Sequence, residues 1–162
     1  MEARQRKALA AADWDRGRRG QIKSRERVRD LAEVYTHERE ISAMLDLVPD
    51  MFPSARDPGN TDHTFLEPAC GDGNFLVEIL RRKLEYVTPR RYGCGKRFEH
   101  RVLRCLASVY GIDINDDNVR ESRERMRSVI SAHLESRLGA DGATTGFSDA
   151  VEAILETNII LA

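Results

Sequence analysis

Two carboxylates and two glycines are the residues of this sequence best placed to do chemistry. Thr64-Phe-Leu-Glu-Pro-Ala-Cys-Gly-Asp-Gly-Asn-Phe-Leu76 is a short apolar run ending at Glu67, followed by the turn Gly71-Asp72-Gly73 and an amphipathic run from Phe75. That order predicts a strand, a tight turn and a helix, with the backbone of the turn open to a small ligand. Gly71 and Gly73 carry no side chain, so the chain can bend sharply and a nucleotide-like molecule can approach the peptide groups. A second apolar run, Ser108-Val-Tyr-Gly-Ile-Asp-Ile114, carries Asp113 near its end, 40 positions after Gly73. At the carboxyl ends of neighbouring strands, Glu67 and Asp113 would frame one crevice, where carboxylates accept hydrogen bonds from ribose hydroxyls or a ligand amine. The plainer alternative is a strand-to-helix turn beside a strand-end acid or helix cap, and a Gly-x-Gly by itself does not decide between them. Leu76 stands where a dinucleotide fingerprint has its third glycine, which disfavours a pyrophosphate and hence NAD.

The elements that would position these groups follow from periodicity. Thr36 can cap a helix that carries Glu38 and Glu40 in its first turn and Ile41, Met44, Leu45 and Val48 at helical spacing, with Pro49 ending it. Residues 49 to 62 hold Pro49, Pro53, Pro58, Gly59 and Asn60 and are expected to be a surface connection. After the glycine turn, Phe75, Leu76, Ile79, Leu80, Leu84 and Val87 form an apolar stripe, with Glu78, Arg81, Arg82 and Lys83 expected to face water. A basic loop at 88 to 98 and a short helix through Val102, Leu103 and Leu106 precede the second strand. Asn115 or Asp116 caps a long helix through Val119, Met126, Ile130 and Leu134. A glycine-rich loop, a helix near Val151 and Leu155 and a third strand at Asn158 to Leu161 complete the order. Strands alternating with helices predict an α/β fold: a parallel sheet with helices on its faces and ligands outside the carboxyl ends of its strands.

Composition limits what the crevice can serve. With 162 residues, 41% hydrophobic and 33% charged, the chain can bury a core and stay in solution. It contains neither an apolar run of membrane length nor a signal series, which predicts a cytoplasmic protein without a membrane partner. Cys70, Cys94 and Cys105 include no CxxC pair and the four histidines are scattered, so neither disulfides nor a metal site is expected. Residues 1 to 30 hold ten Lys or Arg against five acids. This basic arm could neutralise the phosphates of DNA, or it could be a solvated helix of mixed charge interrupted at Gly17 and Gly20.

Three stretches resemble the S-adenosylmethionine-dependent DNA methyltransferases, in particular the gamma-type adenine-specific enzymes of restriction-modification systems. Leu66-Glu-Pro-Ala-Cys-Gly-Asp-Gly-Asn-Phe75 resembles the family's first motif, and Gly111-Ile-Asp-Ile114 its second. Asp30-Leu-Ala-Glu-Val-Tyr-Thr36 resembles the N-terminal cofactor motif, usually Gly-Glu-Val-Phe-Thr-Pro, with Ala32 and His37 in place of the usual Gly and Pro. The resemblance implies a Rossmann-like methyltransferase fold with a partial parallel sheet, helices on both faces and an N-terminal helical segment. It divides the chain into an arm at 1–30, a cofactor-motif helix and linker at 31–59 and a cofactor domain at 60–162. It implies S-adenosylmethionine as cofactor, with Tyr35 and Thr36 over the methionine part. Asp113 would hold the ribose hydroxyls, Ile114 would face the adenine, and Glu67, Pro68, Ala69, Cys70, Gly71, Asp72, Gly73 and Phe75 would shape the first motif.

Methyl transfer to an adenine amine requires the base to be flipped out and its NH₂ held by acceptors. The family does this with an Asn/Asp/Ser-Pro-Pro-Tyr/Phe motif after a fourth strand, whereas the five prolines here are isolated and the 162 residues stop at the third predicted strand. The expectation is therefore a cofactor-binding portion with no catalytic residue of its own, binding cofactor weakly or not at all and inactive alone. Two alternatives remain: a non-catalytic partner or regulatory subunit whose open sheet edge is completed by another chain, and a methyltransferase for RNA, protein or a small molecule.

Overall fold

In the computed structural model, residues 36 to 139 and 143 to 162 are described. The chain divides into a unit ending at Glu40, of which Thr36 to Glu40 are described, and a unit from Ile41 to Ala162. Tyr35 and the basic arm lie outside the described residues.

Helix α1 spans Glu38–Leu45. The residue at its cap is His37 rather than Thr36: the His37 ring Nδ1 accepts from the Arg39 N–H at 3.3 Å, and the Glu40 carboxylate accepts from the His37 N–H at 3.3 Å. This reciprocal pair does the work of a capping box.

The larger unit is a three-stranded parallel sheet with its helices. Strand β1 (Phe65–Glu67) leads through α2 (Asn74–Leu84), the single turn α3 (Pro89–Tyr92) and α4 (Lys96–Ala107) to β2 (Val109–Asp113). From there α5 (Asp116–Leu138) and α6 (Phe147–Asn158) lead to β3 (Ile159–Leu161). The spatial order is β1-β2-β3, with Phe65 beside Val109 and Gly111 beside Ile159. Asn115 caps α5 as the sequence suggests, its side chain accepting from the Asp117 N–H at 2.9 Å. The stripe of α2 packs on the sheet and on α5, and Leu76, Leu80, Val102, Leu106, Val109, Met126 and Ile159 form one core.

The helices were expected on both faces of the sheet; among the described residues they lie on one. Both crossovers step in the same direction across the sheet, and a right-handed connection then carries its helices to the same side each time. Val109, Gly111, Asp113 and Ile159 point into that side and are buried. Leu66, Tyr110 and Ile160, on the alternate positions, are 61%, 38% and 39% exposed.

Two further expectations change. The segment 49 to 62 is anchored rather than only superficial. Phe52 is buried and stacks on Phe65 with ring centroids 5.0 Å apart, and Asn60 Nδ2 donates to the carbonyls of Asp50 and Phe52 at 2.7 and 3.2 Å. Lys83 does not face water: it is fully buried, and its Nζ donates to Thr61 O at 2.9 Å and His63 O at 2.5 Å. Positions 76, 80 and 83 share a helix face, so the lysine stem follows the apolar stripe while its head satisfies the carbonyls that lead into β1.

Burial pushes the Lys83 ammonium down to about 8, from an ordinary value of 10.5. Between those values the unfolded chain keeps a proton that the folded chain has released. This group's contribution to stability is therefore fully present above about 10.5 and lost as pH falls through about 8. The neutral amine still has hydrogens to donate, so the two bonds survive deprotonation. Urea unfolding of the wild type and of Lys83→Met at intervals from pH 7.5 to 10.5 should show a stability difference that grows with pH; a difference that shrinks would refute this account.

Candidate functional site

Glu67 and Asp113 end adjacent strands, and the turn between β1 and α2 passes over the end of β2. Cys70 N–H donates to Ile112 O at 2.9 Å, and Gly71 N–H donates to Asp113 Oδ2 at 2.8 Å. Asp113 is 8% exposed, and its other oxygen accepts from the Asn115 N–H at 2.8 Å and from Asn118 Nδ2 at 3.2 Å. A carboxylate has about four acceptor positions, three of which are engaged here, so one is left for a ligand. Asp113 thus straps the glycine turn to β2 and to the start of α5. Glu67, half-buried, accepts from the Ala69 N–H at 3.4 Å, and Ile114 stands 71% exposed at the carboxyl edge of the sheet.

The turn has the conformation its glycines permit. Gly71 and Gly73 have φ of 55° and 85°, in the left-handed region that costs other residues energy. A Cβ on Gly73 would meet Ser122 Oγ at 2.8 Å and Ser122 Cα at 3.0 Å, so α5 crosses directly against this residue. The close approach of helix to strand that a third turn glycine would give is made from the other side: a Cβ on Gly111 would fall 2.7 Å from Leu76 Cδ1. The N–H groups of Phe75 and Leu76 lie in the first turn of α2, where no intrahelical acceptor exists.

Helix α5 contributes residues that sequence reasoning missed. Ser122 Oγ donates to Gly71 O at 2.9 Å. Arg125 donates to Asp72 O at 2.8 Å and to Asn74 Oδ1 at 2.7 Å, and lies 3.1 Å from the Asp72 carboxylate. Asn118, Ser122 and Arg125 recur at steps of four and three along α5, beside Val119 and Met126 in its buried stripe. Polar residues repeating within an apolar stripe were the available signal. Cys70 is buried, its thiol pushed up to about 11 by desolvation, so it is protonated at neutral pH and unsuited to nucleophilic work.

The structure therefore brings together Glu67, Pro68, Ala69, Cys70, Gly71, Asp72, Gly73, Phe75, Asp113 and Ile114. Thr36 belongs to the unit ending at Glu40, and Tyr35 is outside the described residues. A groove of about 470 Å³ between α2 and α5, lined by Arg81, Ser128 and His133 among others, shares only Val77 and Arg125 with the hydrogen-bond partners of the turn. It is not this site. Among the described residues no helix is long and apolar enough to cross a membrane.

The site is thus a strand-to-helix glycine turn strapped to a neighbouring strand-end acid at the carboxyl edge of an α/β sheet. Comparison with known proteins finds similarity to the adenine-specific methyltransferase PglX of Streptomyces coelicolor (strain ATCC BAA-471 / A3(2) / M145), 30% identical over 95 residues, or 59% of this chain. The chain spans about 7% of the length of that relative. No protein-family description matches the sequence, and no solved structure matches it. Over about three fifths of its length the chain is thus a distant relative of a methyltransferase.

Proposed function

We propose that this chain is the cofactor-binding portion of a methyltransferase that transfers methyl from S-adenosylmethionine to the adenine amino group in DNA, built on a Rossmann-like fold. The observation that carries the reading is the 2.8 Å bond from Gly71 N–H to Asp113, which joins two motif segments 42 residues apart in the sequence. The relative named as adenine-specific supports the adenine part of the reading.

The residues present fit the cofactor in kind. Asp113 has one open acceptor position and Glu67 has more, enough for the two ribose hydroxyls. The exposed Ile114 offers an apolar surface to an adenine ring. The turn around Gly71 and Gly73 presents bare backbone to the amino acid portion. When bound, the cofactor supplies a methyl group on a positively charged sulfur. The chain's own residues bind and orient it; the groups that hold the target amine are proposed to come from polypeptide beyond these 162 residues. The basic arm at 1–30 is proposed to contact DNA phosphates.

Calorimetric titration with S-adenosylmethionine should detect weak, saturable binding. Ile114→Asp, an exposed change that leaves the core alone, should weaken it by at least tenfold. Radiolabelled methyl should not pass to DNA when the chain acts alone. Robust turnover by these 162 residues, or no binding at millimolar cofactor, would overturn the reading.

A further inference from the structure

Helix α2 begins without a cap of its own. Gly73, at the cap position, has no side chain, and no side-chain bond from it closes the first turn. Asp72 and Asn74 flank it, and their short side chains are of the kind that accept from the N–H groups at a helix start. Here both are drawn the other way by a residue of α5. Arg125 Nη2 donates to Asn74 Oδ1 at 2.7 Å, and its Nη1 donates to Asp72 O at 2.8 Å and lies 3.1 Å from Asp72 Oδ1. The Arg125 and Asp72 side chains are 30% and 15% exposed, so salt and water screen this pair only in part.

This arrangement is not the one that would best hold α2. The start of a helix carries partial positive charge, which favours an acid there and disfavours a cation. The chain instead sets a guanidinium beside that end and spends an adjacent acid and an adjacent amide on binding it. Where a local rule is broken in this way, something other than stability is being served. Three residues earlier on α5, Ser122 Oγ donates to Gly71 O at 2.9 Å. Ser122 and Arg125 thus take the carbonyls of Gly71 and Asp72 in succession. Because a peptide group is planar and trans, the N–H of each points away from the donor on its carbonyl. Helix α5 holds the turn by its acceptors and leaves the donors at the start of α2 to be met from elsewhere.

We propose that Arg125 is a positioning residue for the amino acid end of the cofactor. By engaging one oxygen of Asp72 and the oxygen of Asn74, it keeps those acceptors off the N–H groups of Phe75 and Leu76, which then serve the ligand carboxylate. Arg125 lines the groove between α2 and α5, so it acts through the turn rather than by touching the ligand. Without it, Asp72 and Asn74 cap α2 themselves, and a ligand carboxylate has to displace them. The identity of the ligand rests on the S-adenosylmethionine reading, whereas the state of the helix start rests on the hydrogen bonds alone, so the two are tested apart.

Amide exchange followed by NMR on the full chain without ligand reads the helix start. Phe75 and Leu76 should exchange rapidly in the wild type and about five- to tenfold more slowly in Arg125→Ala, the factor that one capping bond supplies. A clamp that merely supports the turn predicts the opposite, faster exchange on its removal. Arg125→Lys keeps the charge but not the two-pronged fork; it should fall between, and it carries the test if the alanine variant does not fold. Titrations with S-adenosylhomocysteine and 5′-methylthioadenosine then read the ligand, because both carry the adenosine and only the first carries the amino acid. Arg125→Ala should weaken the first by about five- to tenfold and leave the second unchanged. Adding Asn74→Ala, which removes one competing cap, should restore part of the loss. Faster exchange at Phe75 and Leu76, equal weakening of both ligands, or no change in either overturns the inference and leaves the cofactor reading in place. Failure of the wild type to bind either ligand overturns the cofactor reading, and the assignment of a ligand to the helix start with it.

Discussion

Replacing Asp113 by alanine should lower the stability of the chain by about 2–4 kcal/mol, because one side chain is the acceptor for three donors at once. Its carboxylate accepts from three donors, the N–H groups of Gly71 and Asn115 and the side chain of Asn118, and it is almost wholly buried. Alanine leaves all three donors facing each other across a hole, and an unsatisfied buried polar group costs about 1–3 kcal/mol. Asp113→Asn separates the strap from the cap. Its amide oxygen can still accept from Asn115 and Asn118, but its NH₂ would face the Gly71 N–H, donor against donor. We expect the asparagine variant to lose about half as much stability, and to show faster hydrogen exchange at Gly71 and Gly73 while α5 stays protected. Chemical denaturation gives the energies and amide exchange locates the change. A loss below about 1 kcal/mol for alanine would show that the turn is held by other means.

Gly73→Ala should cost about 3–4 kcal/mol, through two mechanisms that add at one atom. The backbone there has φ of 85°, which for a residue with a Cβ costs about 1–2 kcal/mol. The new methyl would also sit 2.8 Å from Ser122 Oγ and 3.0 Å from Ser122 Cα. The hydroxyl belongs to a side chain that could rotate, although only by giving up its bond to Gly71 O; the α-carbon belongs to the backbone of α5, packed along its length against α2. The double variant Gly73→Ala with Ser122→Gly removes the hydroxyl and Cβ but leaves both the clash with the α5 backbone and the left-handed strain. Only part of the loss should return, about 1 kcal/mol. Complete recovery in urea unfolding would mean that side-chain crowding alone requires glycine at this turn and that the left-handed backbone contributes nothing.

The contacts these variants probe mark the limit of what could be read along the chain. The α2 stripe, the Asn115 cap, the short apolar strands and their alternation with helices are local patterns, because periods of two and 3.6 and a capping side chain act over a few residues. These were legible, and with them the α/β class and the association of a glycine turn with strand-end acids. The tertiary structure decided everything that depended on residues far apart meeting. Lys83 has the residue type of a solvated position, yet the chain returning through Thr61 and His63 places two carbonyls over it. Leu76 and Gly111 exchange the usual roles of helix and strand in a close approach that no local pattern contains. Ser122 and Arg125 reach the turn from about 50 residues away, and only the crossing of α5 over α2 brings them there. Helices on both faces were expected because alternation of strands and helices does not fix the direction of each crossover. Strand order does, and order is a property of the assembled sheet: once β2 and β3 stacked to the same side of β1, right-handedness left the opposite face of Leu66, Tyr110 and Ile160 bare.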